Sequence, residues 1–151
     1  MLGAKWRTFS YNETNLDYTD LMKTQACVCD SGNAFDQCCQ PFLTKSDYAR
    51  TPEQLMRSRY SAFALGGYGE YLLETWLPSS SVNLDAAELS KRLLNWQCLD
   101  VLKETKNEDL GTVEFKAYFL DQDGEQQVYH EISTFQRILG RWFYSKGELL
   151  G

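Results

Sequence analysis

GTVEFKAYFLDQDGEQQVYHEISTFQRI, residues 111–138, is the stretch that decides the fold. Two runs dominated by β-branched and aromatic residues flank DQDGEQQ, whose Asp and Gly residues suit a tight reversal, so the segment reads as a β-hairpin. Side chains alternate along the second strand. Tyr129, Glu131, Ser133, Phe135 and Arg137 therefore share one face, and His130, Ile132 and Thr134 the other. Working outward, CLDVLKET (98–105) reads as a preceding strand, and GRWFYSKG (140–147) closes the sheet after Leu139-Gly140. The pattern predicts an antiparallel sheet.

Upstream the texture is helical. TPEQLMRSRYSAFALGG (51–67) marks both its ends: Thr51 as N-cap, Pro52 in the first turn, Gln54 completing a capping box, Gly66 and Gly67 as the stop. Met56, Tyr60, Phe63 and Ala64 recur at three- and four-residue intervals on a core-facing side. A second helix, YGEYLLETW, ends before Pro78, PSSSVN is a turn, and a third helix runs from about Asp85 to Trp96 with Leu89, Leu93 and Trp96 on one side. Helices followed by strands give an α+β architecture. Residues 1–24 lack a clear period and read as an arm, packed on the body through Trp6, Phe9 or Tyr11.

A chain of 151 residues accommodates one domain and a small appendage. The formal charge of −6 repels phosphate backbones and anionic lipid, which argues against nucleic acid as a partner. The opening MLGAKWRTFSYNETNLDYTD has no apolar signal core, and no stretch approaches the roughly 18 apolar residues of a membrane helix. The expectation is a cytoplasmic protein with reduced thiols.

Four of the five cysteines crowd into CVCDSGNAFDQCC (27–39), in the pattern C-x-C-x8-C-C. Simple packing is disfavoured by the polar residues between them, and disulfides by the reducing compartment and by strain within C-x-C and C-C pairs. Cys27, Cys29, Cys38 and Cys39 are instead expected to close on one metal ion as a structural zinc site, with iron in a similar sulfur cage as the other option. The Ser31-Gly32 turn lets the backbone reverse and aim N–H groups at sulfur, and Phe35 can pin the knuckle to the body. Cys98 stands alone and reads as a small buried hydrophobe.

C-x-C-x-S-G-x5-C-C resembles the SEC-C motif, the zinc-binding segment of the bacterial preprotein translocase ATPase tail, usually written C-P-C-G-S-G-K. Val28, Asp30 and Asn33 depart from it. With CCQPFL, TPEQLMRSRYSAF, YLLETW-L-PS, GTVEFKAYF and HEISTFQRILGRWFY, the likeness extends over roughly residues 27–147 to the YchJ-type bacterial proteins. That resemblance implies a zinc knuckle ahead of a nuclear transport factor 2-like cone, a bent antiparallel sheet wrapped by helices. The division is then an arm at 1–24, a knuckle at 25–44 and the cone domain at 45–151. The family has no established activity. Its T-W-H-P-S segment reads TWLPS here, with Leu77 in place of the histidine.

If the cone holds a pocket, its chemistry would come from His130 and Glu131, with Arg57, Arg59, Trp76, Glu114 and Arg137 nearby. Alternation sends His130 and Glu131 to opposite sides, so they cannot form a dyad without a bulge. Arg57 and Arg59, two apart on a helix, face different directions; the simplest role for them is a salt bridge to a sheet carboxylate such as Glu114, and the alternative is anion binding by one of them. The Tyr and Trp residues of GRWFYSKG read as core and edge packing. The expected function is non-enzymatic binding. Its knuckle, bearing Asp30 and Asp36 and no lysine, would dock a basic protein partner, and its cone would take a small ligand or form a homodimer. The alternatives are an enzyme using the cone pocket with zinc purely structural, and thiol redox or metal storage at the knuckle.

Overall fold

The two strand-rich runs and their neighbours form a meander. The computed structural model describes residues 25–151, so the expected packing of Trp6, Phe9 and Tyr11 lies outside the described residues. Strands β1 (Asn95–Asn107), β2 (Leu110–Leu120), β3 (Gln126–Ile138) and β4 (Arg141–Leu149) pair antiparallel in sequence order. Each connection has local cause. At the β2–β3 turn the Asp121 carboxylate accepts the N–H groups of Asp123 and Glu125, and Leu139-Gly140 joins β3 to β4 with both residues at positive φ. Bulges between Trp96 and Cys98, between Val101 and Lys103, and beside Thr134 and Phe135 bend the sheet.

Helices close over one face. Helix α1 (Gln40–Leu43) follows the cysteine knuckle, α2 (Pro52–Leu65) crosses the sheet, and α3 (Gly69–Glu74) and α4 (Ala86–Leu89) flank it. The expected signals start and stop α2: the Thr51 side chain accepts the Gln54 N–H, and Gly66 sits at φ 74°. The Gln54 side chain reaches one residue further back than a standard capping box, to the Arg50 N–H at 2.7 Å. The core joins Leu55, Met56 and Tyr60 of α2 to Leu99, Val113 and Phe135 of the sheet.

α2 is buried nearly all round, which its amphipathic pattern does not announce. Ser58 and Ser61 are fully buried; Ser58 bonds the Tyr71 hydroxyl of α3 at 2.6 Å, while Ser61 faces the sulfur of Cys27. Small polar residues there let three layers approach one helix.

The expected helix from Asp85 to Trp96 is corrected to the single turn of α4. Asp85 does cap it, accepting the Ala87 N–H at 2.8 Å. Its end is set by Ser90, whose hydroxyl donates back to the Ala86 carbonyl and accepts the Gly69 N–H. α3 and α4 touch so closely that a Cβ on Gly69 would lie 1.7 Å from the Ala86 oxygen. Leu93 is left exposed, and Trp96 joins β1, where it packs edge-on against Tyr60, Phe119 and Tyr129. The sheet's claim on one large aromatic outweighs a weak helical period.

Candidate functional site

The knuckle is a reversal held by its own backbone. Cys27 N–H donates to Asn33 O, Phe35 N–H to Gln25 O, and Asp30 N–H to Cys27 O. Asp30 stands where the SEC-C pattern carries glycine and takes φ 61°, a left-handed conformation that Asp tolerates better than most residues; Gly32 follows at φ 89°. Phe35 packs against the core as expected.

The sulfurs of Cys27, Cys29, Cys38 and Cys39 all lie within 4.8 Å of one another. Cys29 and Cys38 are 3.5 Å apart and Cys38 and Cys39 3.9 Å, far beyond the roughly 2.05 Å of a disulfide. Four thiolates at about 2.3 Å from a tetrahedral ion would stand about 3.8 Å apart. The donor set fits a metal ion of that kind. Contrary to expectation, three of the four cysteines are well buried: Cys27, Cys29 and Cys39 belong to the core and Cys38 packs against it, because α2 supplies the cover that the polar loop lacks. Packing and metal binding are therefore compatible here.

Electrostatics favour a cation. Hydrogen bonds from Cys29, Cys38 and Cys39 hold Cys27 far below the usual thiol range. Cys29, opposed by Cys27 but helped by Cys38 and Cys39, is lowered to about 6, while Cys38 and Cys39 are pushed up, chiefly by their bonds to Cys27 and then Cys29. The four thiols therefore titrate as one coupled set, and a dication would stabilise their thiolate forms together. The Ser31 hydroxyl lies 3.1 Å from the Cys38 sulfur, the Cys29 N–H points at Cys27, and Arg57 approaches from α2.

A cavity of about 320 Å³ lies between α2 and the inner sheet face, lined chiefly by aromatic and aliphatic side chains. Its polar corner is Glu131. Oε1 accepts the hydroxyls of Tyr129 (3.1 Å) and Tyr144 (3.3 Å), and Oε2 that of Ser133 (2.6 Å). Burial, then the Glu131 charge, pushes Tyr129 up to about 12 and also raises Tyr144, so both phenols stay protonated and donate. Arg59 is buried beside them. Its guanidinium lies 4.6 Å over each of the Trp76 and Tyr144 rings, which meet edge to face, and its Nη1 donates to Leu72 O and Thr75 Oγ1 at 2.7 Å. Burial pulls Arg59 down to about 10, still a cation at neutral pH. Segment 75–77 places Trp76 by docking on β4: Tyr144 N–H bonds Thr75 O, and Leu77 N–H bonds Tyr144 O.

Of the seven pocket candidates, Arg59, Trp76 and Glu131 line the cavity. Arg57, Glu114, His130 and Arg137 do not. Glu114 accepts His130 Nε2 at 2.8 Å across β2 and β3, which corrects the expected arginine pairing and places both groups away from Glu131. Arg57 pairs with Glu53 instead, and Arg137 pairs with Asp109 while lying over Trp142. Sequence reasoning missed Tyr129, Ser133 and Tyr144 as hydroxyl donors. Alternation had put the first two on the Glu131 face; Tyr144, read only as packing, is delivered by a bulged register between β3 and β4. Cys98 is buried as expected. No helix among the described residues is long and apolar enough to cross a membrane.

A family model described as YchJ, middle NTF2-like domain, matches residues 51–147. A UPF0225 protein of Sodalis glossinidius is 39% identical over 126 residues, covering 80% of this chain and 81% of its own length. One from Corynebacterium glutamicum is 36% identical over 129 residues, with 82% and 96% covered. The solution structure of a SEC-C motif containing protein from Rhodopseudomonas palustris matches with a TM-score of 0.75 at 39% identity, covering 83% of this chain and 98% of that one.

Proposed function

The chain belongs to the UPF0225 family, and on that premise we propose that it is a binding protein whose fold is locked by one structural zinc ion. Cys27, Cys29, Cys38 and Cys39 are the ligands, and the carrying observation is four sulfurs within 4.8 Å on the buried face of the knuckle. Zinc supplies a closed tetrahedral anchor with no open position. Binding energies of about 10–16 kcal/mol for such sites match or exceed a whole domain's stability of about 5–15 kcal/mol. The ion thus fastens the knuckle on α2, whose other flank walls the cavity. The acidic knuckle, with Asp30 and Asp36 near its surface, suits a basic protein partner, and the cavity a small ligand.

Elemental analysis with native mass spectrometry of protein taken directly from cells tests this. One zinc per chain, lost together with the folded knuckle on chelation, is the expected result. Stoichiometric iron would replace zinc in the reading, and no metal would overturn it. A second reading, catalysis in the cone, is favoured by one observation, the Glu131 carboxylate inside an apolar cavity. It predicts turnover of a bound molecule that Glu131→Gln abolishes without loss of binding.

A further inference from the structure

The cavity has an apolar body, the exposed Lys91–Glu88 pair at its rim and a buried polar corner at Glu131, and the direction of the hydrogen bonds in that corner selects a ligand. Tyr129, Ser133 and Tyr144 all spend their hydroxyl hydrogens on Glu131. What they and the carboxylate leave for a visitor is oxygen lone pairs. We propose that the cavity takes an uncharged small molecule with an aromatic or alicyclic body that presents a hydroxyl or N–H donor to the Glu131, Tyr129 and Tyr144 oxygens. This rests on the reading of the domain as a ligand binder.

Charge balance argues for neutrality. The buried cation of Arg59 is near enough for Glu131 to feel its charge; its Nη1 is committed to Leu72 and Thr75, and its plane covers Trp76 and Tyr144. A ligand bringing a net charge into that buried corner would leave one charge uncompensated there, at a cost a neutral donor avoids. Size agrees. At about 320 Å³ the cavity is at the small end of ligand sites, which run from about 300 to 1,000 Å³. Its walls include Met56, Trp96, Phe115 and Phe135, and the apolar Leu93 and Leu94, both exposed, also line it. The corner is built in advance: Gly147 on β4 lets the carboxylate lie against the backbone, where a Cβ would stand 1.8 Å from Oε1.

The test titrates four probes of similar size into the full-length, zinc-loaded, nitrogen-15-labelled chain and follows the indole N–H signals of Trp76 and Trp96. The probes are benzyl alcohol, its methyl ether, benzoate and benzylammonium. Benzyl alcohol is expected to bind about tenfold more tightly than the ether, the worth of one hydrogen bond, and more tightly than either ion. Tyr129→Phe, which keeps the ring, and Glu131→Gln, which trades a charged acceptor for a neutral one, should each cut that ratio. Equal binding of alcohol and ether, preference for an ion, or an unchanged ratio in a folded Tyr129→Phe chain would overturn the inference while the ligand-binding reading stands. If none of the four moves either indole, the ligand-binding reading fails as well.

Discussion

Arg57 donates from Nη1 to the carbonyl oxygen of Cys29 at 2.7 Å, and the same nitrogen lies 3.9 Å from the Cys29 sulfur. Glu53, one turn earlier on α2, steadies the guanidinium at 3.3 Å. Burial opposes the charge on Arg57, but the neighbouring Cys29 sulfur and Glu53 outweigh it and raise its affinity for the proton. A tetrathiolate zinc site carries two net negative charges, so a half-buried cation reaching it from a helix both neutralises and clamps it. Arg57→Gln should weaken zinc binding by about tenfold or more, in the range found when partners of metal ligands are removed. Arg57→Lys should recover part of the loss. Competition against a chromophoric chelator measures both, and an unchanged affinity in Arg57→Gln would count against the clamp.

Metal removal should be felt beyond the knuckle, because the cysteines share one core with α2. Chelation at neutral pH should strip amide-exchange protection from residues 25–43 and from the start of α2, while the β2–β3 pairs keep most of theirs. Acidification should do the same without a chelator. Any metal held by the four cysteines needs thiolates and protons compete for them, so its affinity falls as pH falls. Loss of protection confined to the outer loop, or affinity that rises toward acid, would contradict the shared core.

Gly147→Ala should damage the cavity from a position outside its lining, by displacing Glu131, which lines it. The added Cβ would overlap the Glu131 carboxylate, 1.8 Å from Oε1, and lie close to the Tyr144 hydroxyl. Either the carboxylate leaves its three donors or β4 shifts. We expect a loss of about 1–3 kcal/mol in urea unfolding, the cost of disturbing buried hydrogen bonds. His130→Ala, on a strand position facing away from Glu131, should leave the indole titrations unchanged. A stable Gly147→Ala chain that binds benzyl alcohol as before would show that the corner is not closed by that contact.

Much of the molecule was readable where its signals are local. The Thr51 cap, the Gly66 stop, the break at Leu139-Gly140 and the cysteine spacing act over a few residues: the first two start and stop α2, the third joins β3 to β4, and the last brings four sulfurs together. Alternation along β3 also placed Glu131 and His130 correctly on opposite faces. What stayed hidden depends on contacts distant in sequence. Ser58, Arg59 and Ser61 look like a polar stripe, yet the sheet, α3 and the knuckle cover them. Glu131 gains Tyr144 only through the β3–β4 register, and Trp96 is taken from a plausible helix by a strand. Periodicity reports which residues share a face, but the number of neighbours crowding that face is set by the tertiary fold.

Alkaline titration offers a last check, because several phenols are buried. Tyr71 is pushed up to about 12 by burial, against the lowering effect of its bond to Ser58, and Tyr129 reaches about 12 through burial and the Glu131 charge. Tyr60 and Tyr144 are raised as well, by burial first. In the unfolded chain a phenol loses its proton near pH 10. Between about pH 10 and 12 the unfolded state therefore ionises while the folded state does not, and the equilibrium is drawn toward unfolding. The contribution is complete below about pH 10 and is lost as pH climbs through about 12. Arg59, pulled down to about 10, works in the opposite sense over the same window, but four phenols stand against one guanidinium. The urea midpoint should hold steady from about pH 8 to 10 and then fall. Tyr71→Phe should lower stability by about 1 kcal/mol at neutral pH through loss of the Ser58 bond, yet make the alkaline fall shallower. An alkaline slope as steep in Tyr71→Phe as in the parent chain would remove Tyr71 from this account.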